Sequence, residues 1–305
     1  MNKLTITLTI ILSTFTCWGR DIVPFSVNPI TNQMEIDVYV NNDTIPYKFV
    51  LDTGASAVFA NLKSERLVNL LNLCETDTVE NAYSSSIARR TPHDNQLMMG
   101  SVICDSIQIY CDEDPNAHYD GIIGLSLLKR YKVGILPVSG LMIFCNYDEP
   151  LKLPDMVELP LIAGNGVLGT ELSMKADACT YAGTFMLDTG FGGTVNISSK
   201  YSEKHQLSSK LKKIGNTAST DGTGTSGETY LVTVPRTLFA GESLPLLPCQ
   251  MDEDSSNSAY TEVFDGIIGY DILKRFNMIF DFPNGKLYIA PNFDFFSPFT
   301  FIKQQ

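Results

Sequence analysis

Apolar and polar residues alternate with a period of two along most of the chain. In Met34-Glu35-Ile36-Asp37-Val38-Tyr39-Val40 the apolar positions fall on one face. An Asn/Asp turn at 41–43 follows, and then a second apolar run that ends on Asp52. This pattern predicts a β-hairpin with one buried face. Residues 170–188 repeat the design, with the reversal expected at Tyr181-Ala182-Gly183. Further strands are expected at 98–111, 140–147, 229–239, 276–282 and 286–290. Short helices fit 126–131 and 271–276, each after a glycine-containing strand end. The periodicity therefore predicts an all-β chain with a few short helices.

The organisation is a duplication. Val50-Leu51-Asp52-Thr53-Gly54 and Met186-Leu187-Asp188-Thr189-Gly190 each follow an apolar run, and their aspartates lie 136 residues apart. Each is followed by Asp-Gly-Ile-Ile-Gly, ending at Gly124 and Gly269, and then by a Leu-Lys-Arg-aromatic tail. Three matching motifs in one order argue for an internal repeat. The expected division is a signal segment at 1–19, an N-terminal lobe at 20–150, a Pro/Gly-rich linker at 151–168 and a C-terminal lobe at 169–305. The serine-rich acidic stretch 251–258 is expected to be an exposed loop. The phenylalanine-rich stretch 293–301 is expected to pack in the core or between lobes.

Composition narrows the function classes. Acidic residues outnumber basic ones by 34 to 22, for a formal charge of −12 with no basic block, which opposes nucleic-acid or anionic-membrane binding. Lys3 and the apolar run from Leu4 to Leu12 predict a signal peptide and export, to periplasm or outside, without membrane insertion after its removal. Lipid attachment at Cys17 is the disfavoured alternative, because Thr14-Phe15-Thr16 is a poor small-residue approach. Six further cysteines in an exported chain predict disulfides: Cys179 with Cys249 if bridges stay within lobes, and three arrangements for Cys74, Cys104, Cys111 and Cys145. Scattered His93, His118 and His205 argue against a metal site, and no cofactor is expected. Asn42 and Asn196 head glycosylation sequons.

In each motif the apolar lead-in sets the aspartate at the end of a buried strand. The β-branched threonine keeps the backbone extended and supplies a hydroxyl. The glycine permits a tight turn. Two such turns would bring two carboxyls to one water. One carboxyl then stays protonated, because paired like charges do not both ionise cheaply.

These motifs resemble the pepsin-like and retropepsin-like aspartic peptidases, in a bacterial-type exported form. The resemblance implies a bilobal, double-barrel acid-protease fold. It implies Asp52 and Asp188 as the catalytic pair, with Thr53, Gly54, Thr189 and Gly190 supporting them. The segments ending Ile123-Gly124 and Ile268-Gly269 would thread behind the turns. Tyr83 is the candidate flap tyrosine, and 218–227 is a second candidate cleft loop. The implied activity is endopeptidase action on a peptide or protein substrate by a monomer. The alternative is an exported, non-catalytic peptide- or protein-binding protein on the same scaffold. Two positions depart from the family pattern. Ala55 and Phe191 stand where pepsin-like enzymes carry Ser or Thr, and the Phe191 ring is expected to pack into its lobe rather than to line a substrate pocket.

Overall fold

The computed structural model describes residues 20–81, 84–151, 153–221, 223–253 and 259–299. The expected signal segment with Cys17, the candidate flap residue Tyr83 and residues 254–258 of the acidic stretch lie outside the described residues.

The hairpin anticipated from period-two alternation spans Met34–Val40 and Tyr47–Leu51, paired antiparallel from Glu35↔Val50 to Val38↔Tyr47. Met34, Ile36, Val38 and Val40 are buried while the residues between them are half-buried or exposed. A slip of one residue would turn this entire apolar set to solvent, so burial fixes the register. Each such buried aliphatic side chain contributes about 1.5–3 kcal/mol.

Among the described residues the strands form three sheets. A ten-stranded sheet is built from residues of the first half between Ser26 and Asp112, plus Gly121–Ile123. An eight-stranded sheet holds the second-half strands from Ile162–Gly164 to Gly266–Gly269. The third, six-stranded sheet draws on both halves in the order Asp21–Pro24, Leu141–Cys145, Lys132–Leu136, Phe276–Asp281, Lys286–Pro291, Val157–Pro160. At its centre the strands that follow the two Leu-Lys-Arg-aromatic motifs pair with each other, Val133↔Phe280 through Ile135↔Met278. The repeat seen in sequence therefore closes on itself in space. Val157–Pro160 and Ile162–Gly164, inside the stretch expected to be linker, are strands.

Other elements differ from the expected ones. Cys179–Asp188 is one unbroken strand through Tyr181-Ala182-Gly183, and the reversal lies at 177–178, where Asp177 takes the left-handed conformation (φ 52°). Aspartate tolerates that conformation in turns, and Tyr181 pairs within the ladder with Met174. The two short helices are single turns, Leu125–Leu128 and Tyr270–Leu273.

The expected disulfides are not formed: all six cysteines from Cys74 to Cys249 are free thiols. Cys249 is buried opposite Val232, whereas Cys179 is exposed and pairs with Ala176 at the hairpin end. Cys104, Cys111, Cys145 and Cys249 instead serve as small buried hydrophobes, and burial lifts the thiols of Cys145 and Cys111 to about 11 and about 12. The Asn196 sequon is also misleading. Asn196 is buried, and its amide donates to Asp252 at 3.0 Å.

The arginine of the second tail explains the C-terminal anchor. Arg275 is fully buried and donates to the carbonyls of Asp294, Phe295, Ser297 and Pro298. Its guanidinium also lies 4.1 Å from the Phe299 ring centroid. Of the nearby phenylalanines, Phe295 is buried edge-on to Phe276, while Phe293 and Phe296 are 88% and 92% exposed. Only part of the aromatic tail is therefore core.

Candidate active site

Both Asp-Thr-Gly turns sit at strand ends because a second strand of the same half locks each one. Gly121–Ile123 runs parallel to Tyr47–Leu51, and Asp52 N–H donates to the Ile123 carbonyl at 3.0 Å. Gly266–Gly269 pairs parallel with Cys179–Asp188, with Gly269 opposite Asp188. Past these segments, Leu125 and Ser126 N–H bond the Ala55 and Ser56 carbonyls at 2.9 Å each. In the second half Tyr270 and Asp271 N–H bond the Phe191 and Gly193 carbonyls at 2.7 and 3.0 Å. A Cβ on Gly124 or Gly269 would lie 2.1 or 2.3 Å from a carbonyl of the adjacent turn, so both positions need the missing side chain.

The two halves meet through their threonines. Thr53 Oγ1 donates to the Leu187 carbonyl (2.8 Å) and accepts Thr189 N–H (3.1 Å). Thr189 Oγ1 donates to the Leu51 carbonyl (2.8 Å) and accepts Thr53 N–H (3.1 Å). Both threonines are essentially inaccessible. The four bonds form a crossed pair with twofold symmetry, which sets the strand ends of both halves at one spacing.

That spacing brings Asp52 and Asp188 together. Their carboxyls hydrogen-bond each other. Gly54 N–H donates to Asp52 Oδ1 at 2.7 Å; Gly190 and Phe191 N–H donate to Asp188 Oδ1 at 2.8 and 2.9 Å. Burial raises the proton affinity of Asp52, opposed by hydrogen bonds from Asp188 and from backbone N–H groups. Burial raises Asp188 further, well above the usual carboxylate range, reinforced by the charge of Asp52 and its hydrogen bond. A pair so placed retains one proton at a pH where isolated carboxyls have lost theirs.

The glycines of the turns hold this spacing. A Cβ on Gly54 would fall 2.6 Å from Asp188 Cγ, and one on Gly190 would fall 2.5 Å from Asp52 Cγ. Either glycine-to-alanine change is expected to push the carboxyls apart within an intact fold. If the pair is catalytic, cleavage should fall by about 10²-fold, the scale of an ångström-level misplacement. Peptide cleavage rates with circular dichroism as the folding control test this, and an active Gly54→Ala protein contradicts it.

Phe191 packs against the core, its ring lying over Gly193 and Gly269, as expected for a packing role. The described residues of 218–227, namely 218–221 and 223–227, form the strand ends and tip of the hairpin Lys212–Thr220 and Ser226–Phe239. From that tip, Asp221 Oδ2 accepts Ser84 Oγ at 2.8 Å, so it meets the tip of the first-half hairpin Glu75–Glu80 and Ser85–Arg90. Sequence reasoning offered the loop 218–227 but not the Ser84–Asp221 contact at its tip. It also missed Tyr119, whose hydroxyl bonds Asp114 at 2.7 Å within electrostatic reach of Asp52, and Asn32 and Gln33, which contact the second turn. None of these carries a local motif.

No protein-family model matches the chain, and no curated protein matches it in sequence. Among solved structures it resembles an aspartic proteinase from Irpex lacteus, with TM-score 0.63 and 15% identity over 92% of this chain and 100% of that one. A likeness at that identity shows the fold, which is the pepsin-like double barrel.

Proposed function

We propose that this chain is an aspartic endopeptidase, acting as a monomer on peptide or protein substrates after export. The observation that carries this reading is the hydrogen-bonded pair Asp52–Asp188, held by crossed threonines and raised in proton affinity by burial. Burial and mutual repulsion raise both carboxyls, so the pair holds one shared proton, drawn here on Asp188. Asp52 is ionised and takes a proton from a water placed between the two. The resulting hydroxide attacks the scissile carbonyl carbon, while Asp188 donates its hydrogen bond, and then its proton, to the carbonyl oxygen. Collapse of the tetrahedral intermediate breaks the C–N bond: one hydroxyl of the intermediate returns its proton to Asp188, and the proton taken by Asp52 passes to the leaving amine. No covalent enzyme intermediate forms. Extended substrates would lie between the lobes, held through backbone hydrogen bonds with side-chain pockets setting preference.

Calorimetry with a statine-type transition-state mimic tests this reading against that of a non-catalytic peptide binder. The proposal expects tight binding that either Asp→Asn variant weakens by about 10² or more, because such mimics exploit the transition-state geometry. Equal binding of a peptide and the mimic, without turnover, would support the binder instead.

A further inference from the structure

The peptide plane joining Gly190 to Phe191 is held at both ends. Its N–H, from Phe191, donates to Asp188 Oδ1 at 2.9 Å. Its carbonyl, from Gly190, accepts Gln33 Nε2 at 2.6 Å. Gln33 belongs to the other half of the molecule, 157 residues away in sequence. Its neighbour Asn32 is buried in the left-handed conformation (φ 56°) and donates its amide to the Gly192 carbonyl at 2.7 Å. Asn32 Oδ1 in turn accepts Lys274 Nζ at 3.0 Å, and Lys274 pairs with buried Asp271 at 2.6 Å. Asp271 N–H takes the Gly193 carbonyl. The carbonyls of Gly190, Gly192 and Gly193 are thus all gripped from behind the turn, two of them by side chains of the opposite lobe. The first turn is braced by backbone N–H groups of its own half, from Leu125 and Ser126.

We propose that Gln33 and Asn32 are positioning residues for the second turn, fixing the Gly190–Phe191 peptide from across the lobe boundary so that its N–H stays aimed at Asp188. A peptide group is planar, so fixing the direction of its carbonyl fixes that of its N–H. A carbonyl that accepts a hydrogen bond also polarises the group and makes its N–H a better donor. Gln33 therefore favours the ionised form of Asp188, through one peptide unit and without touching it. Position 191 carries phenylalanine and offers no hydroxyl to the carboxyl, so the backbone donor is what this turn has to offer. The clamp also ties the environment of Asp188 to correct seating of the two lobes. Its catalytic meaning rests on the peptidase reading above.

The test is Gln33→Met, which keeps the side-chain length at a half-buried position and removes the amide that donates to Gly190. The charged and titratable groups around Asp188 stay in place: Asp52 across the pair, Asp271, Lys274 and Arg275 behind the turn, and Tyr119 beyond Asp52. Carboxyl titration of the pair by carbon-13 NMR is expected to move upward by about half a pH unit to one unit, the equivalent of one hydrogen bond. The pH–rate profile moves toward higher pH with it, and kcat falls by about three- to tenfold while KM changes by less than about twofold. Asn32→Gly keeps the left-handed backbone, removes the second contact and should shift both readouts in the same direction; it decides the matter if Gln33→Met does not fold. Titration and pH–rate curves of both variants that superimpose on the wild type overturn the proposal. The two readings fail separately. A shifted titration in a protein that cleaves nothing retains the clamp and removes the peptidase, whereas an unshifted titration in an active enzyme removes only the clamp.

Discussion

Asp188→Asn is expected to abolish peptide cleavage and to make the protein more stable at neutral pH. Asparagine reproduces the protonated carboxyl: its oxygen can still accept Gly190 and Phe191 N–H, and its amide can donate to Asp52. It cannot release a proton to the substrate. Loss of positioned acid–base chemistry of this kind removes about 10²–10⁴-fold in rate, and here one residue serves both protonation steps of its side of the pair. The stability change follows from linkage. The folded-state proton affinity of Asp188 lies above the unfolded value of 3.8, so between those two values the folded protein holds a proton that the unfolded chain has lost. The contribution of Asp188 is fully present below pH 3.8 and disappears as pH rises through the folded value. At neutral pH the wild type must either bury a second charge or hold a proton that solution disfavours; the asparagine variant does neither. The expected gain is about 0.5–2 kcal/mol at pH 7, shrinking toward zero near pH 3.5, and urea denaturation at the two pH values measures it. An equal offset at both pH values would mean that Asp188 is not the raised group.

The second large effect is expected at the lobe contact. Thr53→Val keeps shape and β-branching but removes the hydroxyl that serves the Leu187 carbonyl and Thr189 N–H. Both partners are then buried without a replacement, at about 1–3 kcal/mol each, so a loss of about 2–6 kcal/mol is expected. Thr189→Val should match it, because the contact is symmetric. The double variant should lose less than the sum, since the two threonines share partners. Thr53→Ser should retain most of the stability. Denaturation midpoints within about 0.5 kcal/mol of wild type for both valine variants would show that the crossed bonds do not hold the halves together.

Much of this architecture was legible because its signals are local. The hairpin 34–51 and the turns at Asp52 and Asp188 each lie within a few consecutive residues, so alternation and turn chemistry locate them. The segments ending at Gly124 and Gly269 were legible because duplication set each beside its turn in the same order. The six-stranded sheet was not, since Asp21–Pro24 and Val157–Pro160 sit at its edges through partners more than a hundred residues away. The reversal at Asp177 was displaced in the sequence reading because Gly183 looked like a turn residue. In the ladder Gly183 leaves room beside Tyr201 and Phe185 that a Cβ would fill. Cysteine parity suggested bridges, but parity carries no geometry. Gln33 and Asn32 carry no pattern at all, and only the folded contact with Gly190 and Gly192 identifies them.

The most direct test of the central claim is mass-spectrometric mapping of new termini after a proteome-derived peptide mixture is incubated with the chain from pH 3 to pH 7. Wild type, Asp52→Asn and Asp188→Asn are compared, each shown to be folded by circular dichroism. A protein that activates water between Asp52 and Asp188 produces new termini in the wild type and none above background in either variant. Wild-type-like cleavage in either variant, or no cleavage by the folded wild type at any pH, would contradict it.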